Sequence, residues 1–198
     1  GDGGAATAAV LASPQGVAVD AGGNMYIADW AENRVRRVSA SGVISTFAGT
    51  GEAGDGGDGG PAASATLVQP LAVAADSSGH VYVSCNTKRR RIQPNGVITT
   101  YVGTREVGYN DNPDATKTLI NFPDGMATDT AGNLYIADTF NNRIRTIDLD
   151  SGVISTVIGS GTGGSDAVGR PVGIAIYDGF RNLFSLCFEK TLDNGGLG

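Results

Sequence analysis

The only dense run of basic residues in the sequence is Lys88, Arg89, Arg90 and Arg91, within "NTKRRRIQPNG". Adjacent lysine and arginine side chains could contact the phosphates of a nucleic acid or the carboxylates of an acidic glycan. The whole chain, however, has 14 basic and 20 acidic residues, a net charge of −6. Because this balance disfavours nucleic acid, and because no aromatic residues are interleaved with the run, we predict a solvated strand edge.

Two acid–base pairs recur at a separation of five residues, Asp29 with Arg34 and Asp138 with Arg143. Each pair straddles a turn between neighbouring strands, so the opposite charges can meet. Such a pair could bind a ligand, but an active site is rarely repeated along one chain. We therefore predict structural ion pairs, either within or between repeat units. Cys85 replaces the aspartate in the intermediate copy.

Asp55 and Asp58 lie in the glycine-rich stretch "GEAGDGGDGGPAASATLVQP", residues 51–70. Spaced carboxylates are typical of calcium loops, but "DGGDGGPAASAT" has no glutamate at its twelfth position, and the Gly-Asp pattern stops after one cycle. A phosphate loop would need a Gly-Lys-Ser/Thr sequence before a helix. We interpret the stretch as a structural connector, and calcium bound by Asp55 and Asp58 is the minority alternative.

Few residues are available for catalysis. His80 is the single histidine, and one histidine cannot form a multi-histidine metal site. Ser84 lacks the sequence context of a nucleophile elbow. Cys85 and Cys187 are too few for a CxxC zinc site or a disulfide framework and are predicted to be free thiols. We predict no enzymatic activity, no catalytic residue and no cofactor.

An internal repeat defines the elements that must position these side chains. Four stretches align, starting at Pro14, Pro70, Pro123 and Pro171: "PQGVAVDAGGNMYIAD", "PLAVAADSSGHVYVSC", "PDGMATDTAGNLYIAD" and "PVGIAIYDGFRNLFSLC". A second block, such as "GVISTFAGTG", follows each of the first three. Because Gly and Asp turns separate short apolar runs, each unit is predicted to form four antiparallel strands. In the first unit these are residues 16–20, 25–29, 34–39 and 43–48.

The predicted strands are apolar on both faces. Val17, Ala18 and Val19 follow one another, whereas a sheet with one solvated face would alternate apolar and polar residues. An open sandwich would explain the strands but not their repetition. The pattern predicts an all-β fold, a β-propeller of four-stranded antiparallel blades at about 14–49, 70–103, 123–159 and, in part, 171–198. Residues 1–198 then form one propeller segment, with an incomplete ring in this chain.

These repeats resemble those of NHL-repeat β-propellers, above all in "PQGVAVDAGGNMYIADWAENRVRRV" and "PDGMATDTAGNLYIADTFNNRIRTID". The likeness is partial in the second unit and poor after about Phe180. It implies a propeller of roughly five to seven blades, of which this chain supplies about three and a half. It also implies two alternative functions: a lyase or hydrolase with a site at the channel mouth, and an RNA-binding module.

The segment before each blade keeps an apolar residue three positions before the first proline of the repeat: Leu11, Leu67 and Ile120. A flexible linker would not keep such an anchor in register. The connector is also much longer than the gap between neighbouring blades, so it must fold back on itself. We predict that the three apolar residues are plugs between blades and that Asp58 is a turn or cap residue.

Together these features favour a non-enzymatic propeller that serves as a protein-interaction or structural module. An unclosed propeller leaves apolar blade faces exposed, so we expect a protein partner or self-association through those faces. Nucleic acid is disfavoured, and no apolar stretch is long enough for membrane insertion. Glycine-rich connectors, few lysines, the acidic composition and the likeness to repeat arrays of large surface proteins favour a larger extracellular or cell-surface protein or assembly.

Overall fold

The computed structural model describes residues 1–85, 88–104, 106–110, 112–161, 170–177 and 182–188, which form a series of antiparallel sheets. Blade one contains β1–β4, at Pro14–Val19, Met25–Asp29, Arg34–Val38 and Ile44–Ala48. Blade two contains β5–β8, at Pro70–Ala75, Val81–Cys85, Lys88–Ile92 and Ile98–Val102. Blade three contains β9–β12, at Gly125–Thr128, Asn133–Asp138, Arg143–Asp148 and Ile154–Ile158.

A further hairpin follows, in which β13 (Arg170–Tyr177) pairs with β14 (Asn182–Phe188). It corresponds to the first two strands of the predicted fourth blade, whose residues 189–198 lie outside the described part of the chain. The predicted all-β fold of four-stranded antiparallel blades is confirmed.

An aspartate fixes the turn between the first two strands of each blade. In blade one, Asp20 accepts hydrogen bonds from the backbone N–H of Asn24 and from the Tyr26 hydroxyl, each at 2.9 Å. The same Tyr-to-Asp bond recurs between Tyr82 and Asp76 and between Tyr135 and Asp129. Burial and the nearby Asp20 raise the pKa of Tyr26 to about 12, so the phenol remains a donor throughout the physiological range.

The apolar core lies between blades. Leu67, Val73 and Val81 pack with Ala28 and Val35 of blade one in a first buried cluster. A second cluster joins blade two to blade three, with buried members Ala72, Ala74, Tyr82, Val102, Ala115, Ile120, Met126, Leu134, Ile136, Ile147 and Ile154. Blade two, which lies between the two clusters, is therefore covered on both faces, which explains the lack of polar alternation in its strands.

The connectors before blades one, two and three run along the outer edge of the blade that follows them. Before blade two, the Gly59 N–H donates to the Ile98 carbonyl at 2.8 Å, and the Ile98 N–H donates to the Gly60 carbonyl at 3.0 Å. Gly3 and Gly4 make the same two bonds with Ile44 in blade one. The connector thus folds back as predicted, and in doing so it satisfies the edge of the outer strand, which would otherwise be open to other chains.

Candidate interaction surfaces

The basic run lies inside blade two. Lys88, Arg89, Arg90 and Arg91 form most of β7, a strand paired on both sides, with β6 and β8. The side chains of Arg89 and Arg90 are almost fully buried. The predicted solvated strand edge is therefore wrong for these two residues, because neighbouring blades cover both faces of the strand.

The carboxylates considered for calcium are the partners of this run. Lys88 Nζ lies 3.0 Å from Asp55 Oδ2, and Arg90 Nη2 lies 2.7 Å from Asp58 Oδ1. A calcium ion bound here would have to displace both cations. Within the described residues, no group of three or more His, Cys, Asp and Glu side chains could hold a metal. The structure thus places Asp58 in an ion pair that anchors the connector.

Blade one repeats this anchor. Asp2 accepts hydrogen bonds from the Arg36 guanidinium and, at 2.9 Å, from the backbone N–H of Thr46. Burial alone would raise the pKa of Asp2, but the bonds from Thr46 and Arg36 hold it below 3.8. The partners are 34 residues apart in blade one and 32 in blade two. That recurrence was visible in the sequence and could have identified the pairs; the corresponding Asp111 lies outside the described residues.

The aspartates predicted to pair with arginines instead hold the backbone that enters their own blade. Asp29 and Arg34 are opposite each other on β2 and β3, as predicted. The fully buried Asp29 carboxylate, however, accepts hydrogen bonds from the backbone N–H groups of Ala12 and Ser13, the latter at 2.8 Å. Buried carboxylates require such fixed donors, and these amides are nearer than the arginine.

In blade three, too, the aspartate and the arginine of the predicted pair have other partners. One carboxylate oxygen of Asp138 accepts a hydrogen bond from the backbone N–H of Asn121 at 2.8 Å. Both carboxylate oxygens also accept hydrogen bonds from the side-chain amide of Asn141. Burial raises the pKa of Asp138 despite these bonds. Arg143 instead donates to the Ser160 carbonyl at 2.6 Å. The ion pair that Asp138 makes is with Arg145, whose Nη1 lies 3.9 Å from Asp138 Oδ2, and not with the predicted Arg143.

The arginines of these pairs hold the segments that leave their blades. Arg34 donates to the Thr50 carbonyl at 2.7 Å and forms an exposed ion pair with Glu32 at 3.1 Å. The guanidinium carbon of Arg143 lies 3.6 Å from the centre of the Tyr109 ring. Each arginine thus ties the departing backbone, or a residue of a connector, to the third strand of its blade.

Cys85 lies where the other two blades have Asp29 and Asp138. It is a free, buried thiol, and burial raises its pKa to about 11. A thiol with such a pKa is a poor nucleophile at neutral pH. The side chain of Cys187 lies outside the described residues, so its predicted state as a free thiol stays a prediction.

The three predicted plugs differ in burial. Leu67 and Ile120 are completely buried in the two interblade clusters, whereas Leu11 is only half-buried. Leu11 precedes blade one, which has no described blade on that side. The same position in the repeat is therefore a core position only where two blades meet.

The uncovered side of blade one exposes apolar side chains at positions of the repeat that are buried in blade two. Val17 is 62% exposed, whereas the equivalent Val73 in blade two is 4% exposed. Val19 and Met25 are also exposed on this side. Exposed apolar residues of this kind, in register with a core, mark an interaction surface. This face is the principal candidate site.

The amino-acid sequence matches the family described as Teneurin NHL domain over residues 1–55 and 50–121. NHL repeat-containing protein 2 of Gallus gallus is 34% identical over 110 residues, which cover 54% of this chain and 15% of that protein. Teneurin-3 of Mus musculus is 30% identical over 174 residues, 80% of this chain and 6% of that protein. Protein SUPPRESSOR OF QUENCHING 1, chloroplastic, of Arabidopsis thaliana is 32% identical over 99 residues, 48% of this chain and 9% of that protein. The chain thus spans a small fraction of these relatives.

Solved structures share the fold. A structure of a nidogen/laminin complex superimposes with a TM-score of 0.63 at 20% identity, covering 88% of this chain and 56% of that one. Virginiamycin B lyase from Staphylococcus aureus gives a TM-score of 0.54 at 17% identity, covering 90% and 57%. At such identities the likeness concerns the fold alone. Among the described residues, no helix has the length and apolar character needed to cross a membrane.

Proposed function

The chain belongs to the NHL-repeat family, and on that premise we propose that it works as a non-enzymatic protein-interaction module. The observation that carries the proposal is the apolar face of blade one. Val17, Val19 and Met25 are exposed there, although their counterparts in blade two are at or near the core. Clustered exposed apolar residues of this kind mark association sites on soluble proteins.

The occupant proposed for this face is another four-stranded blade, from the same polypeptide or from a neighbouring copy. Blade two supports this choice, since it presents the same repeat positions to blade one and buries them in the first cluster. A further blade would bury Val17 and complete the burial of Leu11 in the way that blade one buries Val73 and Leu67.

The charged residues support an interaction role over catalysis or RNA binding. Lys88 and Arg90 pair with Asp55 and Asp58, and Arg91 lies over the ring of Tyr101 at 4.8 Å. These contacts hold the basic side chains against the connector and the neighbouring strand. For the parent protein we propose an extracellular or surface location, which rests on the acidic, glycine-rich composition.

Sedimentation equilibrium of the 198-residue chain tests the proposal. We expect concentration-dependent association of the wild type that is lost in Val17→Lys, because a lysine on this face opposes an apolar contact. Val153→Lys is the matched control: Val153 is an exposed valine on the outer rim of blade three. It should leave the association unchanged.

Three results would contradict the proposal. A monodisperse, stable wild-type monomer would remove the support for association through blade one. Stoichiometric zinc or calcium in the purified protein would favour an enzyme. Tight, salt-sensitive binding to a random RNA pool would favour the RNA-binding alternative.

A further inference from the structure

A groove lies on the outer rim of the molecule between blade one and blade two, with a volume of about 480 Å³. One wall comes from the two outer strands of blade one, and the other from the connector at 59–63 and the β7–β8 turn at 94–97. We call it the rim groove. Protein pockets of roughly 300–1,000 Å³ commonly hold ligands. The groove is lined by one cation and by apolar side chains, which include Arg37, Phe47, Pro61, Pro94 and Val97.

The cation, Arg37, has no partner among the described residues. It makes no ion pair, hydrogen bond or aromatic contact with any of them, and its buried Nε has no acceptor. The arginines beside it on β3 differ, since Arg36 pairs with Asp2 and Arg34 pairs with Glu32. A guanidinium carries several N–H donors. Arg37 is therefore free to bind a group from another molecule.

The register of blade one directs Arg37 toward blade two. Arg37 lies in a row across the sheet with Ala18, Tyr26 and Ser45. Ala18 and Tyr26 belong to the first cluster, which blade two covers. Because Arg37 is on the outer half of the blade, its side chain reaches the rim of this interface.

The equivalent arginine of blade two is covered by an aromatic ring. Arg91 has the place of Arg37 in the row of blade two, opposite Tyr82. Its guanidinium carbon lies 4.8 Å from the centre of the Tyr101 ring. The Tyr101 hydroxyl donates to the Leu149 carbonyl of blade three at 3.3 Å, which holds the ring in this position.

Phenylalanine replaces this tyrosine in blade one. Phe47 has the place of Tyr101 on the fourth strand, and it has no hydroxyl with which to bond across to the next blade. Its ring packs edge-on against Tyr26 instead, with the ring centres 4.7 Å apart. The exchange leaves Arg37 uncovered, whereas Arg91 has an internal partner.

The charges around the two equivalent grooves differ in sign. Between blades two and three, Asp114 lines the groove at the place where the rim groove has Pro61. Burial raises the pKa of Tyr101 there, and Asp148 and Asp150 of the following turn act in the same direction. The corresponding turn beside the rim groove is uncharged, with the sequence "QPN" at 93–95.

The carboxylates nearest to the rim groove are already engaged. Asp2 accepts from Arg36, Asp20 from the Tyr26 hydroxyl, and Asp58 from Arg90. None of the three lines the groove. The charge of Arg37 is therefore not matched within the described chain, and an anionic group is the complementary ligand.

The lining indicates which anionic group fits. One guanidinium matches one carboxylate, whose two oxygens accept parallel N–H bonds. A phosphate chain or another polyanion would favour further cations, and Arg37 is the only cation among the described lining residues. Phe47, Pro61 and Pro94 can contact an apolar side chain beside the carboxylate. Arginine and aromatic residues are also enriched where proteins bind one another.

We propose that the rim groove binds a short acidic segment of a protein partner, with an aspartate or glutamate on Arg37 and a neighbouring apolar side chain against Phe47 and the two prolines. This inference rests on the proposed interaction role. It uses the rim between blades one and two, not the uncovered face that carries Val17, so the two proposals can fail separately.

The test is selection of a displayed library of random peptides on the 198-residue chain, followed by affinity measurements with the wild type and Arg37→Thr. Thr146 has this place in blade three, so the repeat accepts threonine there. We expect enriched peptides with an acidic residue next to an apolar one. Arg37→Thr should weaken their binding by at least about tenfold, because the carboxylate loses its charged donor.

The matched control is Arg91→Thr, which removes the same charge from the same place in blade two. It should leave the affinity within about a factor of two, because its cation is already covered by Tyr101. Peptides in which the acid is replaced by its amide should bind the wild type as weakly as the acidic peptides bind Arg37→Thr. The two losses should not add, since both remove one contact. Thermal unfolding curves verify that each variant is folded.

Several results would overturn the inference. These are the absence of enriched peptides, enriched peptides without an acidic residue, and equal losses for Arg37→Thr and Arg91→Thr. A random RNA pool that binds the wild type and not Arg37→Thr would assign the groove to nucleic acid. Loss of self-association in Arg37→Thr would assign it to a second copy. Val17→Lys should bind the peptides as the wild type does, even where it abolishes self-association.

Discussion

Blades one and two have the same repeat sequence pattern but different surroundings. Val17 and Val73 occupy the same position on the innermost strand, yet one is 62% and the other 4% exposed. Leu11 and Leu67 differ in the same direction. These residues are therefore core residues of an interface between blades, and a blade alone buries only part of its apolar surface.

Placing a charge at each of the two equivalent valines should produce the largest difference between the blades. Val73→Lys should destabilise the chain by about 4 kcal/mol or more, because it buries an unpaired ammonium group between blades. Val17→Lys should change the free energy of unfolding by less than about 0.5 kcal/mol in the monomer. Urea unfolding followed by circular dichroism measures both. Equal losses would mean that the two faces have equivalent surroundings.

Truncating the two equivalent leucines to alanine tests the same difference with a smaller change in volume. Leu67→Ala should cost about 2–5 kcal/mol, since it opens a cavity in the first interblade cluster. Leu11→Ala should cost less than Leu67→Ala, because the Leu11 side chain is already partly exposed to solvent. Urea unfolding at low protein concentration, where association is absent, is the appropriate measurement. A larger loss for Leu11→Ala would contradict the account.

The sequence was sufficient for the strands because the repeat shows them three times over. The Asp-Gly turns, the apolar runs and the prolines recur, and the strand bounds of blade one in the structure differ from those predicted by two residues or fewer. The uncovered face of blade one was also predictable, because strands that are apolar on both faces need a neighbour on each side.

The partners of the charged residues were not predictable from spacing within one turn. Asp29 and Arg34 do lie opposite each other, but backbone amides of residues 12 and 13 occupy the carboxylate. Arg90 pairs with Asp58 because the connector lies along the outer edge of blade two, a path that local sequence does not specify. Only the long-range recurrence of the Asp and Arg positions indicated this pairing.

The ion pair of the connector gives a third comparison between the blades. Asp58→Asn should destabilise the chain by about 1–3 kcal/mol, because Arg90 is buried and loses its charged acceptor. Asp2→Asn should cost less, since the Arg36 side chain is more accessible than that of Arg90. Chemical denaturation of both variants checks the order. The reverse order would imply that the connector of blade one is the more tightly held.

The smallest expected effect is the pH dependence of the Asp2 contact. The pKa of Asp2 is lowered in the folded chain, so its contribution is complete above the unfolded value of 3.8 and is lost as the pH falls through the folded pKa. The contribution should be below about 1 kcal/mol, because solvent screens this half-exposed carboxylate. The difference in unfolding free energy between wild type and Asp2→Asn should shrink below pH 3.8. A difference that grows there would contradict the assignment.

We propose that the face of blade one is an interface for another blade. Hydrogen–deuterium exchange of the 198-residue chain, at increasing protein concentration, measures whether this face becomes protected on association. We predict that peptides covering β1 and β2 gain protection as the chain associates, that those covering β5 and β6 are protected throughout, and that Val17→Lys abolishes the gain. Protection of β1 and β2 that is independent of concentration and equal to that of β5 and β6, or a gain confined to another surface, would contradict the claim.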